Sequence, residues 1–346
     1  RISTAVAGAA GTAGAVIDAS GVTFATAGQN AKLVLEGLAA KADTITGSAK
    51  VDYINATTGA DIITGGAGSD TYDATNLRGA SIEGTGTGTA TGVVINLGST
   101  AVTNTSILDK TDNFTANSIT SVESGKTAYL FAASASTNSA VQQTIATIEN
   151  LVGTAGNDYL VGNTSANNLS GAGGNDYIVG GDGADTLTGG TGIDTIDLTE
   201  SYSAADKIVY AAGDSSSTEF DIVNGFAGSS DVIDFSAALT IVTVAGPATA
   251  GTAAISAAGL ATFDADDDTL AERVAAVESA IQTGTATAGQ MAIFGLGSDA
   301  YVFISNGVDG VTSADVLIKL VGLATSGTLA TANDAVTLTD GNATLT

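Results

Sequence analysis

The sequence holds no cysteine, no histidine and no tryptophan, one proline and one methionine. Without cysteine there is no disulfide and no thiolate metal site. Without histidine the commonest general base and zinc ligand is gone, and an H-E-x-x-H metalloprotease site cannot exist. No G-x-S-x-G nucleophile motif occurs either. Cationic side chains are scarce: 10 Lys and Arg stand against 36 Asp and Glu, a net charge of −26. That balance argues against nucleic acid or anionic membranes as partners, because phosphate contacts need Lys and Arg. It favours divalent cations instead. Mean hydropathy is positive, yet no apolar run reaches the roughly 18 residues of a membrane-spanning helix. Aromatic residues are few while Ala, Gly, Thr and Ser abound, which suits thin stacked layers better than a bulky core. A length of 346 residues allows two or three domains. The chain starts at Arg1, without Met and without a basic leader before an apolar segment. It is read as the C-terminal part of something longer, or as a processed product.

What is present is a register. Asp158, Asn167, Asp176, Asp185 and Asp194 recur every nine residues, and an aliphatic follows each two places later: Leu160, Leu169, Ile178, Leu187, Ile196. This is the G-G-x-G-x-D-x-U-x nonapeptide of a calcium-binding parallel β-helix. Gly at the first, second and fourth positions permits left-handed backbone in a tight turn. The turn aims carbonyl oxygens inward beside the Asp carboxylate, and x-U-x forms a short strand with U pointing into the coil. Nine residues give half a coil, so Asp158, Asp176 and Asp194 form one column and Asn167 and Asp185 the opposite one. Carboxylates stacked at roughly 4.8 Å repel each other. An oxygen-loving cation removes the repulsion, and Ca²⁺ with about six to eight oxygen ligands fits.

A second block precedes it. Asp43, Asp52, Asp61 and Asp70 are nine apart, with Ile45, Ile54, Ile63 and Tyr72 in the same phase. Gly65-Gly66-Ala67-Gly68-Ser69-Asp70 matches in full; in the units of Asp43 and Asp52, Lys41 and Lys50 replace the fourth-position Gly. Asp61 and Asp70 are read as ligands. Asp43 and Asp52 stay open between ligands and turns whose charge a Lys partly offsets.

Elsewhere the chain reads as follows. Residues 1–36 are irregular strands leading in, with helix or strand open over Gln29–Leu38. Gly84–Gly92 is a turn-rich stretch and no phosphate loop. Val93–Leu97 is a strand, and Thr144–Leu151 alternates into the main block. Lys207–Tyr210, Phe220–Phe226 and Asp231–Phe235 are strands expected to cap the open end of the coil. Asp221, Asp231 and Asp234 are either a further calcium site or solvated turn carboxylates. Residues 236–265, with Pro247, form a loose linker or weak strands. Asp266–Ile281 is a helix with Leu270, Val274, Val277 and Ile281 on one face. Met291–Leu296 and Tyr301–Ile304 pair as a hairpin, and a strand follows at Val316–Leu320. Ser305–Gly310 is read as a plain turn, with a worn D-x-N-x-D-G calcium loop as the alternative; its twelfth position is Val316, not Glu. The tail 324–346 is polar, with a strand at Val336–Thr339. Four parts result: 1–73 with the first block, 74–150 between blocks, 151–235 with the main block and cap, and a C-terminal domain over 236–346 carrying an assembly or secretion signal.

The two blocks, with the lead-in Thr147–Asp158, resemble the RTX (repeats-in-toxin) proteins of Gram-negative bacteria. The Ala/Thr/Gly-rich remainder, ending in Tyr301-Val-Phe-Ile and Asp315–Leu320, is similar to the C-terminal half of an RTX surface-layer protein. The resemblance implies an all-β fold: a calcium-binding parallel β-helix (β-roll) solenoid with at least two nonapeptide blocks and a small β-rich C-terminal cap containing one helix. It implies type I secretion through an uncleaved C-terminal signal, with folding outside the cell where calcium is plentiful. It also implies that each ion takes the Asp carboxylates plus carbonyls of Gly171, Gly173, Gly180, Asp182, Gly189 and Thr191. The facing set is Gly181, Gly183, Gly190 and Gly192, and in the first block Gly65, Gly66, Ala67 and Gly68. Asn167 and Ser165 depart from the pattern.

The expectation is a non-enzymatic S-layer protein, extracellular and on the bacterial surface. Its expected partners are copies of itself, the type I secretion apparatus, and lipopolysaccharide or another surface anchor reached through a preceding part. The alternatives are an RTX adhesin or biofilm-matrix protein, and the non-catalytic C-terminal part of an RTX exoenzyme.

Overall fold

A computed structural model describes residues 14–22, 33–38, 41–55, 57, 59–75, 90–103, 121–122, 124–131, 143–228, 230–235, 238–283, 287–323, 336–339 and 342–345. The chain divides into two compact units, Arg1–Asp185 and Thr186–Thr346. The repeat strands of both are parallel and three to six residues long, the β-roll architecture of the nonapeptide.

In the first unit two sheets carry the coils. One runs Val16–Asp18, Thr44–Thr46, Ile62–Thr64, Thr144–Ala146, Lys126–Phe131, Ala90–Asn96, Tyr159–Val161, Tyr177–Val179. The other runs Leu33–Glu36, Asp52–Asn55, Thr71–Asp73, Asn150–Val152, Asn168–Gly173. Pairing is parallel except around Lys126–Phe131, which is antiparallel to both neighbours. The register stacks the aliphatic position on itself. Ile17, Ile45, Ile63 and Ile145 align on one sheet. Leu35, Ile54, Tyr72, Leu151 and Leu169 align on the other. Ile45, Ile54, Leu151, Leu160, Leu169 and Ile178 are wholly buried, each worth about 1.5–3 kcal/mol against exposure. The open choice over Gln29–Leu38 resolves as strand at Leu33–Glu36; a parallel partner in Asp52–Asn55 takes up its backbone groups. Most of Gly84–Gly92 lies outside the described residues.

In the second unit the strands expected to cap the coil continue it instead. Lys207–Tyr210 pairs in parallel with Thr186–Thr191 and with Val232–Phe235. Asp221–Asn224 pairs in parallel with Thr195–Asp197 and with Val316–Leu320. Leu187, Ile208 and Ile233 stack, as do Ile196, Val223 and Leu320. The parallel ladders turn antiparallel at the meander of Val316–Leu320, Asp299–Ser305 and Gln290–Leu296, and at the hairpin Val336–Thr339 with Asn342–Leu345.

The helix runs Leu270–Gln282. It begins four residues later than the acidic run implied, because Thr269 and Glu272 form a capping box that fixes its first turn. Val274, Val277 and Ile281 are buried against Ile255, Phe294 and Phe303. The 236–265 stretch holds short strands at Thr240–Ile241, Ala254–Ile255 and Ala261–Thr262.

Candidate metal centre

The motif carboxylates are inside. Asp43, Asp52, Asp61, Asp70, Asp158, Asp176, Asp185 and Asp194 are each at most 2% exposed. The reason is local: the residue two places on is the inward aliphatic, and alternation along a short strand turns the Asp inward as well. A second, unforeseen interaction holds them. In four of the motif residues the backbone N–H donates to the carboxylate one coil later: Asp43 to Asp61 at 2.8 Å, Asp52 to Asp70 at 2.7 Å, Asp158 to Asp176 at 2.8 Å, Asn167 to Asp185 at 2.8 Å. In the second unit Asp194 donates to Asp221 at 2.8 Å and Asp206 to Asp231 at 3.2 Å.

The turns before these residues are of two kinds. In one, the residue four before the Asp carries a hydroxyl that donates to it: Ser48 to Asp52 at 3.1 Å, Thr57 to Asp61 at 2.9 Å, Thr154 to Asp158 at 3.0 Å. In the other, that residue has positive φ: Gly66 at 113°, Ala172 at 78°, Gly181 at 101°, Gly190 at 100°. The fourth-position glycines Gly68, Gly174, Gly183 and Gly192 are left-handed too. Only this second kind follows the full nonapeptide.

The first block therefore separates into different turns. Asp43 accepts N–H bonds from Ala15 and Leu38, and Asp52 from Ser48. Lys50 is exposed; protein donors, not its charge, offset Asp52. Asp61 accepts the Gln143 side-chain amide at 2.7 Å. Asp70 differs, for its Oδ2 is buried without a hydrogen-bond partner among the described residues. Burial raises both Asp61 and Asp70 to about 6.

First-position glycines frame the place where a cation fits. A Cβ on Gly65 would come under 3.0 Å from both Asp70 Oδ2 and the Thr147 carbonyl oxygen. A Cβ on Gly153 would meet Asp158 Oδ2 and the Gly171 oxygen, and one on Gly162 would meet Asn167 Oδ1 and the Gly180 oxygen, again under 3.0 Å. On Gly189 it would meet Asp194 Oδ2. Each cradle sets a carboxyl or amide oxygen against the same glycine, and three of them add a carbonyl oxygen from the next coil. These are hard donors of the kind Ca²⁺ takes. The residues thus fit calcium at these cradles. Of the carbonyls implied by the resemblance, those of Gly65 (against Asp52 Oδ2, at Gly47), Gly171 and Gly180 are brought to a carboxyl or amide oxygen in this way. Gly66, Gly68, Gly181, Gly183, Gly190 and Gly192 shape the turns through their φ, with Ala67, Gly173, Asp182 and Thr191 in the same turns. Asn167 places its amide nitrogen on the Glu149 carbonyl at 2.8 Å, a bond no carboxylate could make.

In the second unit Asp221 and Asp231 are buried and take their places in the ladder. Burial, then the charge of Asp194, pushes Asp221 up to about 8. Asp234 is not brought to them: its side chain points outward and pairs with Lys207 at 3.0 Å. Instead Glu200, Asp206 and Asp231 gather with oxygens within 4.8 Å of one another.

Sequence reasoning missed Gln143, Glu149, Glu200 and Asp206. Glu149 stands where a motif Asp would, accepting the Asp70 N–H at 2.9 Å. Gln143, Glu149 and Asp206 each precede a buried aliphatic by two residues, at Ile145, Leu151 and Ile208. That D-x-U spacing was the available signal. Glu200 lies in a loop and had none.

The family comparison agrees with this geometry. The family model "RTX calcium-binding nonapeptide repeat (4 copies)" matches residues 40–74, 146–178 and 161–196. Among solved structures, the solution structure of the AlgE6R3 subunit from the Azotobacter vinelandii mannuronan C5-epimerase is similar at 20% identity, covering 53% of this chain and 90% of that one, with a TM-score of 0.26. No curated protein matches. The two blocks of this chain carry RTX calcium-binding nonapeptide repeats.

Proposed function

We propose that this chain is a structural protein of a bacterial surface layer, secreted by a type I apparatus and folded by calcium outside the cell. One observation carries the reading: a file of buried carboxylates in a chain with 10 cationic residues. A buried ionised carboxylate is strongly unfavourable without a counter-charge. Bound calcium supplies that charge. The chain's own part is to hold the glycine turns open, to fix each carboxylate with the preceding coil's N–H, and to bury the aliphatic stack behind it. Sites with dissociation constants of roughly 10⁻⁴ to 10⁻³ M are filled outside cells and empty within. Each site at about 100-fold excess adds on the order of 2.7 kcal/mol.

Assembly into a lattice of identical copies, with an anchor such as lipopolysaccharide reached through a preceding part, rests on the resemblance of the Ala/Thr/Gly-rich remainder. The test is circular dichroism and electron microscopy with calcium and with chelator. Loss of β-structure and dispersal of two-dimensional arrays in chelator are expected. An unchanged spectrum in chelator removes the folding half of the reading. Calcium-dependent folding without arrays, but with binding to a glycan or host surface, turns the reading to an adhesin.

A further inference from the structure

Glu278 is a buried carboxylate that the repeat columns do not explain. It lies on the Leu270–Gln282 helix and is 1% exposed. Its Oε1 accepts Ser305 Oγ at 3.2 Å and Gln282 Nε2 at 2.5 Å. Its Oε2 is buried with no hydrogen-bond partner among the described residues. The cationic side chains of residues 186–346 are Lys207, Arg273 and Lys319. All are engaged elsewhere: Lys207 with Asp234, Lys319 with Asp299, and Arg273 with the carbonyls of Asp267 and Gly295.

What surrounds Glu278 is more negative charge. Glu278, Gln282, Asp309 and Gly310 line a cleft of about 390 Å³. Gln282 Nε2 also donates to the Val308 carbonyl at 3.0 Å, tying the helix to the Ser305–Asp315 loop. Asp315 and Asp309 both act on Glu278 as like charges. Asp315 is already used: it accepts N–H bonds from Asn306 at 2.8 Å and Thr312 at 2.6 Å and holds the loop in shape. A buried carboxylate oxygen without a hydrogen-bond partner among the described residues, on a side chain repelled by Asp315 and Asp309 and with Lys207, Arg273 and Lys319 spoken for, marks a cation site rather than an ion pair.

We propose that Glu278, Asp309 and carbonyl oxygens of the Val308–Val311 turn hold a divalent, oxygen-seeking cation, Ca²⁺ by its chemistry, at a site separate from the nonapeptide turns. The loop here has the worn D-x-N-x-D-G pattern whose twelfth-position Glu is missing. The helix supplies that carboxylate from elsewhere in the chain. The inference does not depend on the surface-layer reading.

Equilibrium dialysis with Ca²⁺ on the full chain tests it, using Glu278→Gln, Asp309→Asn, the double variant and Asp185→Asn. Asp309 is exposed, so its exchange leaves the fold intact and keeps the test meaningful should Glu278→Gln fold poorly. Each single variant is expected to weaken one ion by about tenfold or more, and the double variant to lose that same ion and no other. Asp185→Asn should weaken a different ion, which separates failure at this cleft from failure in the repeats. Unchanged stoichiometry and affinity in Asp309→Asn overturns the proposal, whatever Glu278→Gln does.

Discussion

The Asp52 backbone N–H donates to Asp70 Oδ1 at 2.7 Å, while the buried Asp70 Oδ2 has no hydrogen-bond partner among the described residues. One oxygen of this carboxylate is thus a structural acceptor, and the other is the atom that would face a cation. Its two oxygens divide the roles.

Asp70→Asn should reverse sign with calcium. In chelator the neutral amide removes a buried charge, so the urea midpoint should rise, by about 1–3 kcal/mol of stability. In saturating calcium the variant should lose a comparable amount, since a ligand charge is gone. A midpoint that moves the same way in both conditions refutes the assignment.

The metal-free protein should grow more stable on acidification. Asp61 and Asp70 are raised to about 6 and Asp221 to about 8, above the unfolded value of about 3.9. Each therefore binds protons more tightly folded than unfolded. Their stabilising protonation is complete below the unfolded value and is lost as pH rises towards about 8. Melting temperature in chelator should fall between about pH 4 and pH 8. With calcium bound the trend should invert, because ligands must be ionised to hold metal. Thermal scans in both buffers decide it.

Gln143→Glu probes a coil that neutralises itself. The Gln143 amide donates to Asp61 Oδ2 and to the Thr57 carbonyl at 2.6 Å. A carboxylate there removes both donors and adds a like charge. Metal-free stability should drop by about 1–3 kcal/mol, and added calcium should recover part of it. Denaturant titration with and without calcium shows whether it does.

Backbone handedness gives a fourth test. Gly181 has φ of 101° and a Cβ there would meet the Asn163 carbonyl oxygen under 3.0 Å. Gly181→Ala should cost about 1–2 kcal/mol, read as a shift in the thermal midpoint. Ala172 holds the same turn position at 78°, so Ala172→Gly should be within about 0.5 kcal/mol of neutral, strain relief offsetting chain entropy.

Much of this is legible in the sequence. The nonapeptide spacing put the inward aliphatics and the carboxylates of both blocks in register, because a period of nine with a fixed D-x-U phase constrains every coil alike. It misjudged Phe220–Phe226 and Asp231–Phe235 as caps. They lack the glycines, and the search for full turns hid the D-x-U phase they share with the blocks. Asp61 looked like a ligand as good as Asp70. The difference lies in Gln143, distant in sequence, and in the Thr57 hydroxyl. Asp234 was grouped with Asp231 by proximity along the chain, yet alternation on a strand turns it outward to Lys207. The bare oxygen of Glu278 had no signature in a helix read for its apolar face.

The order of the N–H to carboxylate bonds has a consequence for how such a chain can change length. A single inserted or deleted nonapeptide would move each later strand to the opposite sheet and offer its amide to the wrong file of acceptors. Lineages carrying this architecture should therefore gain or lose it in whole revolutions of 18 residues, the offset that joins Asp52 to Asp70 and Asp158 to Asp176.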